Sequence, residues 1–570
     1  MSSGTKQQQR NINDNGSNSP CPPPSFKFDV VVNIDTTEQD LENNSNTSMN
    51  VSTNTNSSTN TNTNSNIGIL PDADIALSKA MMKLSLNDRN RFQEEIHGVR
   101  CLAPNETPDF LKESLRRLDL ALNDPMVPIG SKRAYHKCQE IFAGNKDAPT
   151  HVNTDEFRLR FLRCETFGVR IAAERIFKYL DVVYELFGII ALQRPIRITD
   201  FSKEELRIFR KGRYQFLPYR DRAGTHGRRI LSVFPDREWQ TISSELRTKI
   251  WIYLTYVAGE DIEAQKSGLV VLVWFDASWK SISKNPYAYG SMKSRRFITL
   301  GTRASSVHIC TPDTPQYRFR RNAIVMRTGK EKSRVKIHVG LHPVELRYVL
   351  QSYGIPSDYI PISFTGTVKV KYIKEWIRLR HLIEEEQSKT GIYSTNYDNN
   401  TSCSMIESPY LGDIIFRNGT SLTSHPANAY LRSLIAIKCQ QKSNAHKTAK
   451  DFVMDIINEV KQQQQQQQQA NINPSDNGGG GTRDERDHRF LIWNGKGCYW
   501  KPVDPENEEK EIHKKITRMA RETRNTIAKE KEKEDGDDDG DGQGDLPKKR
   551  PRVSYRESCE MTFFQCLDRT

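Results

Sequence analysis

Among the ten cysteines of this 570-residue chain no two form a Cys-x-x-Cys pair, and none has a histidine nearby at metal-ligand spacing. That scatter argues against a zinc site and against a disulfide framework, and it fits a reducing compartment. Long apolar runs are also missing. Nothing approaches the roughly 20 residues that a membrane span requires. The opening MSSGTKQQQRNIND has no apolar core, so a secretory leader is not expected. Residues 1–70 hold too few apolar side chains to offset the entropy of ordering, NTNSSTNTNTNSN being typical. The same applies to an insert over 461–484, with eight consecutive glutamines and then NPSDNGGGG, and to a charged tail over 529–570. Disorder is expected in all three. The expected location is cytoplasmic and/or nuclear.

What is abundant is positive charge. The net charge of +13 and pI of about 9.1 favour acidic partners such as nucleic acid, anionic lipid head groups or phosphorylated ligands.

Apolar spacing divides the remainder into two folded parts. DADIALSKAMMKL and TPDFLKESLRRLDLAL repeat apolar residues every three or four positions, giving a helical lead-in over 71–150. In the next segment Val169, Ala172, Ile176, Leu180, Val183 and Phe187 share one helical face, and Thr154 is a helix start. After Pro195 the pattern changes to short β-branched runs: RRILSVF, GLVVLVWFD, SVHICT and VKIHVG. A helix with Trp239, Ile242, Leu246, Ile250, Leu254 and Val257 in register separates the first two. Strand–helix alternation predicts an α/β domain over 151–390, with a parallel-rich sheet and crossover helices. A linker over 391–407 leads to a small α+β domain over 408–528.

Asp276 and Ser278 follow the GLVVLVWF strand, and His308 and His338 lie on its neighbours, which raises a Ser-His-Asp grouping. No Gly-x-Ser-x-Gly elbow accompanies them, and strand histidines are more often packed than catalytic. Catalysis is not expected, nor is a cofactor or a bound metal.

FRLRFLRCETFGVRIAAERIFKYL, LPYRDRAGTHGRRILSVFP, GLVVLVWFDASWKSISKNP and VKIHVGLHPVELRYVLQSYGIPSDYIP occur in an order that resembles the CRAL-TRIO family over about residues 95–370. The resemblance implies a helical bundle leading into an α/β domain whose sheet floors an apolar pocket under a gate helix. It implies non-enzymatic binding or transfer of a hydrophobic small molecule or phospholipid, with peripheral membrane contact and no transmembrane segment. Alternation on the central strand gives two candidate pocket sets, Val271, Val273 and Phe275 or else Leu272 and Trp274, with Ile309 on the next strand. Arg334 and Lys336 are the head-group candidates. Phosphatidylinositol-binding members carry a tyrosine-proline-glutamate-arginine stretch before the third strand. GTRASSVHIC here has no matching glutamate, so that head-group specificity does not carry over.

In the small domain, DIIFRNGTSLTSHPANAYLRSLI is followed by the helix TAKDFVMDIINEVK, the insert, a hairpin from HRFLIW to GCYWKPV, and a basic helix. This order resembles a domain of unknown function that is expanded in diatoms. The resemblance places Asp413, Gly419, His425 and Asn428 at matching positions of its signature turn, with the turn's arginine, Arg417, displaced by one residue. The turn reads as a structural element with Gly419 at positive φ, or as an anion contact for an acidic partner. Lys510, His513, Lys514, Lys515, Arg518, Arg521 and Arg524 crowd the last helix, which opens nucleic acid as a partner of 408–528. LPKKRPRV, with Lys548, Lys549, Arg550 and Arg552, resembles a nuclear-import signal. The alternative function is therefore that of a nuclear DNA- or chromatin-associated regulator.

Overall fold

The computed structural model describes residues 72–143, 150–224, 226–235, 242–275, 301–340, 342–363, 365–390, 405–418, 422–441, 448–470, 490–503 and 509–534. Eight helices come first: α1 (Ala73–Met82), α2 (Leu86–His97), α3 (Pro108–Leu122), α4 (Arg133–Phe142), α5 (Asp155–Cys164), α6 (Val169–Phe187), α7 (Ile190–Gln193) and α8 (Lys203–Phe209). The expected start at Thr154 is present, its side chain accepting from the Phe157 amide at the head of α5. The segment that follows is two helices, with α5 and α6 separated where Thr166 and Phe167 take positive φ of 46° and 64°.

A five-stranded sheet follows: β1 (Tyr214–Phe216), β2 (Ile230–Val233), β3 (Leu269–Trp274), β4 (Ala304–Thr311) and β5 (Val335–Val339), in the spatial order of the sequence. β1 is antiparallel to β2, and the other pairings are parallel. The four strands read from the sequence are β2 to β5. The three-residue β1 is too short to show a pattern. Between β2 and β3 lie α9 (Ser244–Ala258) and α10 (Ile262–Ser267), and α11 (Pro315–Arg327) connects β4 to β5. α9 starts with Ser243 as its cap, just after Ile242, and it is buried on nearly every side. Trp239 lies outside the described residues. α12 (Pro343–Gln351) and α13 (Lys371–Thr390) complete the large lobe.

Because the parallel strands advance in one direction, right-handed crossovers bring their helices to one face of the sheet. α9 and α11 both pack there. The helical lead-in is not separate from the sheet: residues of α3–α6, α9 and α13 and of β1–β3 share one hydrophobic core.

The small lobe has β6 (Ile414–Phe416), α14 (Pro426–Gln440), α15 (Ala449–Ala470), β7 (Phe490–Asn494), β8 (Tyr499–Val503) and α16 (Glu509–Glu534). The expected hairpin is β7–β8, and β6 adds to it in parallel beside β7. The insert expected to begin at 461 is helical as far as Ala470. Glutamine is a good helix former, and an already nucleated helix extends readily through it. Together the two lobes are a mixed α/β fold with a parallel-rich large sheet and a second, small sheet. Among the described residues no helix is long and apolar enough to cross a membrane.

Candidate ligand-binding face of the large sheet

Register shows how β2–β5 sort their side chains. On the α9/α11 face, Leu231, Val271, Val307 and Val335 form one continuous row, and Val233, Val273, Ile309 and Ile337 form the next. Both rows are wholly apolar. On the opposite face the rows contain Ser232, Leu272, His308 and Lys336, then Trp274, Cys310 and His338. The alternation expected on the central strand therefore holds, with Val271, Val273 and Phe275 turned one way and Leu272 and Trp274 the other.

The two faces are covered differently. Leu272 and Trp274 are sealed with Leu346 and Leu350 of α12 and with Ile355, Ile360 and Ile362. On the apolar face, Leu231, Val233 and Val271 belong to the main core. Phe275, Ile309 and Val335 pack with Tyr317 and Val325 of α11. Val273 and Val307 touch both clusters and, like Ile337, are only half-buried. A strip of apolar floor thus lies between α9 and α11.

The head-group candidates stand apart from this strip. Arg334 is paired with Glu95 of α2 and lies over the Phe92 ring. Lys336 is on the opposite face, its Nζ donating to Gln93 Oε1 at 2.9 Å, and burial lowers its pKa. Glu95 also pairs with Arg303, so α2 is held on the polar face by charge.

His308 and His338 do meet. Their Nδ1 and Nε2 atoms are 2.9 Å apart, and His308 Nε2 is 3.2 Å from Ser306 Oγ. Burial lowers both: His308 well below the usual range, with His338, Arg228, His97 and Lys336 adding to the effect, and His338 to about 4, with Lys336 adding. Tyr353 packs on both rings and stacks with His97. Asp276 and Ser278 lie outside the described residues. Cys310, in the same patch, has its thiol pKa pushed up by burial. Among the described residues no group of three or more His, Cys, Asp and Glu is placed to hold a metal ion.

The signature turn of the small lobe is built into the fold. Asn428 sits in the first turn of α14, with Oδ1 accepting from the Ile415 amide at 2.9 Å and Nδ2 donating to the Ile415 carbonyl at 2.8 Å. It pairs with β6 as a neighbouring strand would. Asp413 accepts from the Tyr410 amide at 2.7 Å. His425 precedes Pro426 as the helix cap, and burial lowers its pKa to about 4, against the opposing effects of Asp413 and a backbone hydrogen bond with Tyr410. Arg417 spans the lobes, 3.3 Å from Glu375 of α13 and 4.3 Å from the Trp493 ring centroid. Gly419 and the basic run with Lys548, Lys549, Arg550 and Arg552 lie outside the described residues. On α16, Arg518 pairs with Glu522, Lys515 donates to Asn418, and Arg524 lies over Phe452, so part of its positive charge is used within the lobe.

Val307, Val335 and Ile337 escaped the sequence reading, although Val-x-Ile in SVHIC and VKIHV alternates with polar residues and carries the signal. No family model matches the chain, and no curated protein matches it significantly.

Proposed function

We propose that the large lobe is a CRAL-TRIO-like domain that holds a hydrophobic, lipid-like ligand on the apolar face of its sheet and carries it without chemical change. One observation supports this reading above the rest. Two unbroken apolar rows cross four strands, and every polar side chain in the matching rows lies on the other face. A sheet buried equally on both faces needs no such segregation. A surface that receives an apolar molecule does, because each unpaired polar group there would raise the cost of desolvation.

Mass spectrometry of the full chain, native and then extracted, should find a co-purifying apolar molecule. Val273→Asp and Ile337→Asp should each abolish loading. Tyr348→Asp, at an exposed position on α12, should leave loading intact. Undiminished loading in both floor variants would sink the reading.

A further inference from the structure

The apolar rows end at the carboxyl edge of the sheet. There the chemistry changes. Thr311, the last residue of β4, continues the side of Val307 and Ile309, is fully buried, and has no partner for its hydroxyl among the described residues. Three residues on, Thr314 caps α11 with extended backbone, but its side chain makes no capping bond and its buried Oγ1 is also unpartnered.

The third group is Arg321. It is 8% exposed, and among the described residues neither Nε nor Nη1 has a hydrogen-bond partner. Arg321 lies one turn from both Tyr317 and Val325, which pack on Phe275, Ile309 and Val335, so it shares the helix side facing the floor. Long helical side chains lean toward the N-terminus, which carries the guanidinium toward Thr314 and the end of β4. The carboxylate that feels its charge, Asp313, is held by Arg318 at 3.0 and 3.2 Å. Two buried hydroxyls at the end of β4 and the start of α11, and a buried guanidinium edge two turns along the same helix, its charge felt by Asp313, all call for a hydrogen-bond partner, and the first turn of α11 adds amides that favour an anion.

We propose that this edge seats the single negative charge of an amphiphile's head group, a carboxylate or a phosphodiester, whose tail lies along the apolar rows. The proposal rests on the apolar-ligand reading above. One guanidinium matches one charge. A multiply phosphorylated head group would bring charges that these residues do not balance.

The test uses the full-length protein and displacement of a fluorescent polyene fatty acid. Competitors are a long-chain fatty acid, a single-chain phosphodiester amphiphile, the fatty alcohol of equal length, and inorganic phosphate. Acid or phosphodiester should compete about tenfold or more better than alcohol, the scale of a charge-assisted hydrogen bond. Arg321→Gln should erase that preference while leaving alcohol binding unchanged, and Thr311→Val should narrow it.

Equal competition by acid and alcohol, or a preference that survives Arg321→Gln, overturns the head-group site and leaves the apolar reading standing. Displacement by millimolar inorganic phosphate alone overturns the amphiphile assignment in favour of a free-anion site. Failure of every tailed competitor overturns both readings. If Arg321→Gln does not fold, an undiminished preference in Thr311→Val overturns the proposal by itself.

Discussion

His308 and His338 share one hydrogen bond between ring nitrogens, one ring donating and the other accepting, and burial holds the pKa of both low. In the unfolded chain each titrates near its ordinary value of about 6.5. Below that pH the unfolded state binds protons that the folded state refuses, so stability falls as pH falls. The loss begins near pH 6.5 and continues down to about 4 for His338, at about 1.4 kcal/mol per pH unit for each histidine. His151 and His425, both lowered to about 4 chiefly by burial, act with the same sign. Denaturant midpoints should therefore drop from pH 7 to pH 5, and His338→Gln should show a shallower drop; parallel curves would refute this. Asn428 makes a separate case. Asn428→Ala leaves the Ile415 amide and carbonyl buried without partners, and should cost the chain about 2–4 kcal/mol in denaturant melts.

The connection from β1 to β2 shows what a single glycine does for an element. Gly227 has φ of +72°, and a Cβ there would lie 2.5 Å from the Asp221 carbonyl and 2.8 Å from Arg220 Cβ. Its turn brings Arg228 back to the fully buried Asp221 at 2.7 Å. Gly224 also has positive φ, +57°, but open space around its Cβ position. Gly227→Ala should thus destabilise by more than about 2 kcal/mol, and Gly224→Ala by about 1 kcal/mol, from backbone strain alone. Equal melting shifts for the two variants would contradict this account. Elements were legible wherever one face dominates. β2–β5 show as β-branched runs, α3 and α6 as three-and-four spacing, and β7–β8 as a hairpin around a glycine turn. β3 concealed its facing, because a strand buried on both sides is apolar throughout. The candidate site was legible only in part, since Thr311, Thr314 and Arg321 gain meaning from strand register and helix side, which no local pattern contains.

At the scale of the molecule, the two lobes are tied by buried charge. Arg380 of α13 is 1% exposed and reaches Glu260 at 2.8 Å, Glu384 at 3.2 Å and Glu407 at 3.5 Å. Glu407, from the segment entering the small lobe, also pairs with Arg229 and accepts from Trp376 Nε1 at 2.6 Å. Burial pushes the Glu407 carboxyl up, but Arg229 and Arg380 more than offset this and hold its pKa low. Next to it Ile406 pairs with Trp500, which shares an apolar cluster with Tyr219, Ile415 and Leu491. Arg380→Met leaves three carboxylates buried together and should destabilise by about 3–5 kcal/mol. Glu407→Ala should split a common thermal transition into two, one per lobe. A single unchanged transition would show that the charge cluster does not couple them.

The parallel pairing of β6 with β7 has a consequence for the chain between them. Ile414 lies opposite Phe490, so the small sheet joins residues 76 positions apart and places no demand on what separates Ala470 from Phe490. The entropy of bringing two strands together grows only with the logarithm of the intervening length, about 0.6 kcal/mol per doubling. The glutamines, 462–469, form the last turns of α15 just before that interval, so repeats gained or lost at this end of the helix change the length of the connection and the fold registers almost nothing. The position of this tract is one where the length of the chain can drift without being corrected by stability.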